Sequence, residues 1–415
     1  MILKKRDFIP KGKRLKIMML ARLLSKIYKK NGILLIDSQG QKYICGKPDL
    51  NKPVTLRLLK KNLNWKLILN PDLNFPEAYM RGEIKIENSS LLDFMNMTFE
   101  NIGRGEINVF GYFIKKLLHG WRYLSNYNLP GRSKKNVKHH YDIGEELYDL
   151  FLDKKHRQYS CAYFLKENES LEDAQQNKIN HIIKKLNLKP GQKILDIGCG
   201  WGGMAFEIAR QSQCEVTGIS LSENQIKYAK EKAKKLNLDN QVHFELCDYR
   251  SVKGKYDRVV SVGAFEHFGK KFYKTFFKKV KNILNDDGIC LLHTIGSVDS
   301  PSSPQTWIQK RIFPGGIVPS LSDMVIPIEK TGLVISDCET LIHHYDKTLK
   351  AWLDRFMQNK EKAKYMYNKE FVRMWEFYLA SCSAAFKFRD LVVYQLQLVK
   401  KFTAQPSNRR NYIYQ

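Results

Sequence analysis

The apolar run "YDRVVSVG" leads directly into "AFEHFG", which sets Glu266 and His267 side by side at the end of a strand-like stretch. An acid next to a base suggests proton transfer. Neighbouring residues in a turn or helix start do not face each other. His267 is therefore expected to cap or pack, which leaves Glu266 as the residue of the two kept for the chemistry. A second stretch, "ILDIGCGWGG", holds Gly198, Gly200 and Gly203 in G-x-G-x-x-G spacing, after a strand and at the opening of a helix. Such glycines let backbone approach a ligand closely, and dinucleotide enzymes use the same spacing. Asp196 separates the two readings, because a carboxylate ahead of the glycines suits a cation better than a pyrophosphate. S-adenosylmethionine carries a sulfonium and no phosphate. Asp196, Gly198, Cys199, Gly200, Trp201 and Gly202 thus read as its binding loop. In "GISLSENQ", Ser220 and Gln225 can hydrogen-bond a ribose diol. In "CDYR", Asp248 can accept from an adenine amine beside Tyr249, although a helix-capping Asp248 fits the same position.

Around these residues strands and helices alternate regularly from about residue 190. "KILDIG", "EVTGIS", "VHFELCD", "YDRVVSVG" and "GICLLHTIG" read as strands, and "GGMAFEIARQ", "SENQIKYAKEKAKKL" and "KKFYKTFFKKVKNIL" as helices. This alternation predicts an α/β domain with a parallel, doubly wound sheet. A Pro-rich insertion, 296–330, interrupts it and reads as a lid or substrate loop. The segment 346–399 reads as two amphipathic helices and a last strand, "LVVYQLQLVK". Residues 1–125 form a smaller mixed α/β domain. Its "KIMMLARLLSKIYKKN" and "SLLDFMNMTFENI" read as helices, "GILLIDSQGQKYICG" as a hairpin, and "VTLRLL", "WKLILN" and "IKIEN" as short strands. The expected division is 1–125 and 126–415.

The chain has 415 residues, 43% of them hydrophobic, which suffices for two cored domains. No apolar run is long enough for a transmembrane helix, and the basic start lacks the features of a signal peptide. Eight cysteines without paired spacing read as free thiols of a reducing cytosol. The net charge of +28 implies an anionic partner, either nucleic acid or a phospholipid surface. Residues 1–61 carry 17 Lys and Arg against three acids, Asp7, Asp37 and Asp49. A nucleic-acid methyltransferase predicts a base-flipping motif such as N-P-P-Y or a paired-cysteine RNA site, and the chain has neither. His139 and His140 read as connector residues. His343 and His344 have no third ligand at metal-binding spacing.

Further stretches carry a resemblance. "HHYDIGEELYDLFLD", "QYSCAYF", "GAFEHFG", "LLHTIGS" and "HHYDKTLKAW", together with "LDIGCGWGG" and "SLSENQ", resemble the cyclopropane-fatty-acyl-phospholipid synthases over about 130–400. The mycolic-acid cyclopropane synthases resemble the chain more distantly. The resemblance implies a class I methyltransferase-like, Rossmann-type sheet. It also implies that the methyl of S-adenosylmethionine goes to a cis double bond of a phospholipid acyl chain, through a carbocation deprotonated by bound bicarbonate. Its motifs assign the bicarbonate to Glu266, His293 and Tyr345, with backbone groups of Cys161 and Ile295, and set Tyr159 and Ser160 beside the cofactor. No step needs a thiol adduct, so Cys161 is expected to act by position. A carbocation needs a dry aromatic pocket, for which Tyr163, Phe164, Phe265, Phe268 and Trp307 are candidates. The resemblance further implies a homodimer. Together with the charge, it points to a cytoplasmic enzyme, peripheral on the inner face of the membrane and docked on anionic phospholipid through its N-terminal domain. Relatives of this family that make methyl-branched chains or methylate small amines remain alternatives.

Overall fold

The computed structural model describes residues 15–103, 144–299 and 306–414, with side chains from residue 19 onward. His139, His140, Pro301 and Pro304 lie outside the described residues. The chain forms two compact units. The first holds a four-stranded sheet of order β2-β1-β3-β4, from β1 (Gly32–Ile36), β2 (Lys42–Gly46), β3 (Thr55–Leu58) and β4 (Ile84–Glu87). It is not made of N-terminal residues alone, because 305–312 and 352–389 belong to it too. Glu77 explains part of this: it pairs with Arg311 at 2.8 Å and Lys310 at 3.1 Å. Trp307 and Phe75 both meet Phe377, with ring centroids 5.1 and 6.0 Å away. A boundary near 125 therefore does not separate the two units as continuous halves.

The stretch "WKLILN" is a helix, Leu63–Leu69, and not the expected strand. Trp65, Leu67 and Leu69 alternate, but the buried residues are Leu63, Asn64 and Leu67, which is helical spacing. Trp65 and Leu69 face solvent instead.

The second unit is built on a seven-stranded sheet of order β10-β11-β9-β8-β5-β6-β7. Its strands are β5 (Lys193–Ile197), β6 (Glu215–Ser220), β7 (Val242–Leu246), β8 (Tyr256–Val262), β9 (Leu284–Ser297), β10 (Val334–Leu341) and β11 (Leu391–Val399). The strands β7, β6, β5, β8 and β9 run parallel as expected. By contrast, β11 is antiparallel to β9 and to β10, so the sheet is mixed. One face packs Leu195, Ile197 and Val259 against Phe276, Phe277 and Val280. The other packs Ile194, Val216 and Val260 against Ile179, Ile182, Phe206 and Ile208. Within the Pro-rich insertion the described residues form two helices, Thr306–Arg311 and Leu321–Thr331. Segment 346–399 holds three helices rather than two, His344–Gln358 (which begins just before it), Lys360–Met366 and Lys369–Phe388, ahead of β11.

Candidate functional site

The order of the sheet reverses between β5 and β8, where such folds leave a crevice at the strands' carboxyl ends. A cavity sits there. The loops after β5, β6, β7 and β8 and the segment Arg157–Ser160 line it. Gly198, Gly200 and Gly202 have φ of 82°, 54° and 85°, a region that side chains disfavour. Gly203 has a different reason: a Cβ there would lie 2.2 Å from the His156 carbonyl oxygen. That glycine lets the 156–158 segment lie against the helix Gly203–Ser212.

Every cofactor residue expected from the sequence lines this cavity: Tyr159, Ser160, Asp196, Gly198, Cys199, Gly200, Trp201, Ser220, Gln225, Asp248 and Tyr249, with Gly202 as the one exception. Asp196 is 2% exposed, and its Oδ2 accepts no hydrogen bond. Burial pushes its carboxyl up to about 7, against the pull of the nearby Lys178 ammonium. An unpartnered buried carboxylate suits the cationic end of S-adenosylmethionine. Ser220 donates to Gln225 Oε1 at 2.8 Å, so the two act as a joined pair. Asp248 caps the short helix Tyr249–Ser251, and Arg250 clamps its two oxygens at 2.8 and 2.5 Å. Burial raises the Asp248 carboxyl, but the Arg250 bonds outweigh it and the net shift is downward. Of the two roles weighed for Asp248, the structure contains the capping one. Tyr249 is buried with an unpartnered hydroxyl, its ring 4.5 Å from Phe268.

His267 also lines the cavity, next to Phe268. Burial drives its imidazole down to about 4, which keeps it neutral. Glu266 is not among the lining residues. Its Oε1 accepts from the Ile295 backbone N–H at 2.6 Å, whereas Oε2 is buried without a partner. Burial raises this carboxyl from its ordinary value. The two neighbours therefore face different surroundings. The Ile295 backbone, expected to help complete the ligand site, donates its N–H to Glu266 here.

His293 lies on β9, 2% exposed, opposite Gln395 of β11. Gln395 Nε2 meets His293 Nδ1 at 3.1 Å, which leaves the ring proton on Nε2. Burial, helped by the charges of Lys178 and Lys185, holds the imidazole well below its usual range. Cys161 is buried, with a thiol that burial pushes well up, so it is no thiolate nucleophile. Its neighbour Ala162 donates its N–H to Thr348 Oγ1 at 3.1 Å, and Phe164 N–H donates to His344 Nδ1 at 3.0 Å. These bonds bring the start of helix His344–Gln358, with the buried Tyr345, against the "QYSCAYF" segment. Tyr163 lies between the rings of His181 and His344, at 4.4 and 4.7 Å. Phe265 is a core residue stacked on Tyr273 at 4.2 Å, and Trp307 belongs to the first unit.

Three residues escaped the sequence reading. Lys178 is fully buried, bonded to Gln158 Oε1 and, at 3.0 Å, to Ser160 Oγ. Its burial lowers it to about 8. Asp153 accepts the backbone N–H of His156, Arg157 and Gln158, at 2.7, 3.0 and 2.8 Å, and so shapes the segment that lines the cavity. Gln395 fixes His293. Two of these carry a signal in the sequence. Lys178 continues the apolar spacing of Leu171, Ala174 and Ile182, and Gln395 interrupts an apolar strand.

Known proteins resemble this chain. A family model described as mycolic acid cyclopropane synthetase matches residues 130–396. The cyclopropane-fatty-acyl-phospholipid synthase of Escherichia coli (strain K12) is 36% identical over 349 residues, 83% of this chain and 87% of that protein. The solved cyclopropane synthase MmaA2 of Mycobacterium tuberculosis superposes with a TM-score of 0.61 at 33% identity, covering 64% of this chain and 97% of its own. The mycolic acid cyclopropane synthase CmaA1, solved with S-adenosylhomocysteine and CTAB, gives 0.60 at 32% identity, with the same coverage.

Proposed function

The chain belongs to the mycolic acid cyclopropane synthetase family, and on that premise we propose that it turns the cis double bond of an unsaturated phospholipid acyl chain into a cyclopropane, using S-adenosylmethionine. The π electrons of the alkene take the methyl from sulfur and leave a cationic carbon beside it. The ring closes as a proton leaves the added methyl. A bicarbonate bound at Glu266 would supply the base for that proton. The observation that carries the reading is the buried Glu266 carboxyl, whose Oε1 the Ile295 N–H holds while Oε2 has no hydrogen-bond partner, one residue before His267 of the cavity lining. The residues fit such a ligand. Glu266 Oε2 accepts a ligand hydroxyl, while the Ile295 N–H fixes Oε1. His293, oriented by Gln395, presents Nε2–H as a donor. Tyr345 is the further donor indicated by its motif.

The first unit has a face suited to a lipid surface. Met19, Arg22, Leu23 and Lys26 share the exposed side of helix Leu15–Ile27, and Trp65, Lys66 and Leu69 share that of helix Leu63–Leu69. Leu69 is 77% exposed. Each basic residue near an anionic leaflet contributes about 1 kcal/mol. Peripheral docking there, by a homodimer with two such faces, completes the proposal. No helix among the described residues is long and apolar enough to cross a membrane.

The test uses vesicles of unsaturated phospholipid and S-adenosylmethionine with a trideuterated methyl. A ring keeps two of the three deuterons and loses the double bond. Retention of all three marks a methyl branch, and unchanged lipid overturns the reading.

A further inference from the structure

Arg157 is an unusual residue to find at the cofactor cavity. It is 6% exposed, with a left-handed backbone at φ 52°. Its guanidinium lies 4.2 Å from the ring centre of Trp201 and 4.8 Å from that of Tyr228. Nη2 donates to the Glu145 carbonyl oxygen at 2.6 Å and pairs with the exposed Asp149 at 2.9 Å. Nε is buried and makes no hydrogen bond. A buried N–H of a cation without an acceptor is costly unless a ligand supplies one.

The charges lining the cavity separate into two groups. At one end Asp248 and Arg250 satisfy each other. At the glycine loop stand Asp196, with Oδ2 unpartnered, and Arg157, with Nε unpartnered and its guanidinium over Trp201 of that loop. Ser220, Gln225, Asp248 and Tyr249 mark the nucleoside end, so the glycine loop takes the amino-acid end. That end of S-adenosylmethionine bears one ammonium and one carboxylate on a single carbon.

We propose that Arg157 is the receptor for the carboxylate of the cofactor's amino-acid moiety, opposite Asp196, which takes its ammonium. The planar, permanently charged guanidinium suits a carboxylate. The stacking on Trp201 and the bond to Glu145 hold it in place before the cofactor arrives, so little side-chain freedom is lost on binding.

This inference rests on S-adenosylmethionine as the cofactor, and its test separates the two. Calorimetric affinities of the full chain are measured for S-adenosylmethionine and for decarboxylated S-adenosylmethionine, which lacks only the carboxylate. The unaltered protein is expected to favour the former by about ten- to hundredfold, as a charge-assisted bond implies. Arg157→Gln is expected to erase that preference and to leave affinity for the decarboxylated compound within about twofold, whereas Arg157→Lys keeps part of it. Equal affinity of the unaltered protein for the two compounds overturns the proposal. So does an Arg157→Gln loss that is the same for both, which marks a structural role. Binding of neither compound by the unaltered protein instead overturns the cofactor reading.

Discussion

The cavity at the ends of β5, β6 and β8 and the cluster around Glu266 differ in what they leave open. The cavity presents many polar groups along one ligand-sized surface, most of them already joined in pairs such as Ser220–Gln225 and Asp248–Arg250. Glu266 and His293 are buried outside that lining, the first with one carboxyl oxygen unpartnered and the other held by the Ile295 N–H, the second with Nδ1 held by Gln395. The first arrangement suits binding. The second suits holding a base for proton removal, because groups already fixed in place need no reorganisation during reaction. Glu266 and His267 are adjacent in the chain yet fall on either side of this division.

The largest expected effect breaks the division from the reaction side. Glu266→Gln should lower turnover by at least about a hundredfold while S-adenosylmethionine affinity stays within about twofold of the unaltered protein. Parallel kinetics and calorimetry check both numbers. Loss of cofactor affinity in step with turnover would merge the two regions into one.

Next comes Asp196→Asn, expected to weaken S-adenosylmethionine binding by about tenfold or more, since a charge-assisted bond is lost. Its carboxyl sits at about 7 in the folded chain. Below that pH it is protonated and cannot pair with a cation. Affinity should therefore fall with decreasing pH below about 7 and be flat above it, and Asp196→Asn should remove the slope. The Lys178 ammonium holds that carboxyl down, so Lys178→Met should move the edge of the affinity profile to higher pH. Titration calorimetry across pH reads both. The smallest effect is expected for His267→Phe, within about threefold in turnover, because a neutral ring packed near Phe313 is replaced by another of similar size.

Much of this was legible in the chain. The parallel strands β5 to β9 declare themselves because each is a short apolar run followed by a helix of clear period. The residues that line the cavity follow from the strand ends, which is where ligands bind in such sheets. Other features depend on contacts far apart in sequence. Gln395 meets His293 only because β11 returns antiparallel to β9, and that register is not written locally. The commitment of the Ile295 N–H to Glu266 needs the turn after β8 to fold back onto β9. The helix Leu63–Leu69 was misread because its exposed Trp65 and Leu69 mimic strand alternation. Lys178 was legible by spacing alone, but lysines on apolar faces usually reach solvent, and this one does not.

The central proposal is that a bicarbonate beside Glu266 would take the proton while the cofactor is held elsewhere. Its most direct test is turnover in rigorously decarbonated buffer, before and after added bicarbonate, with S-adenosylhomocysteine affinity measured in the same solutions. The expected result is turnover that is lost on decarbonation and restored by bicarbonate, at constant affinity. Turnover indifferent to bicarbonate would contradict it.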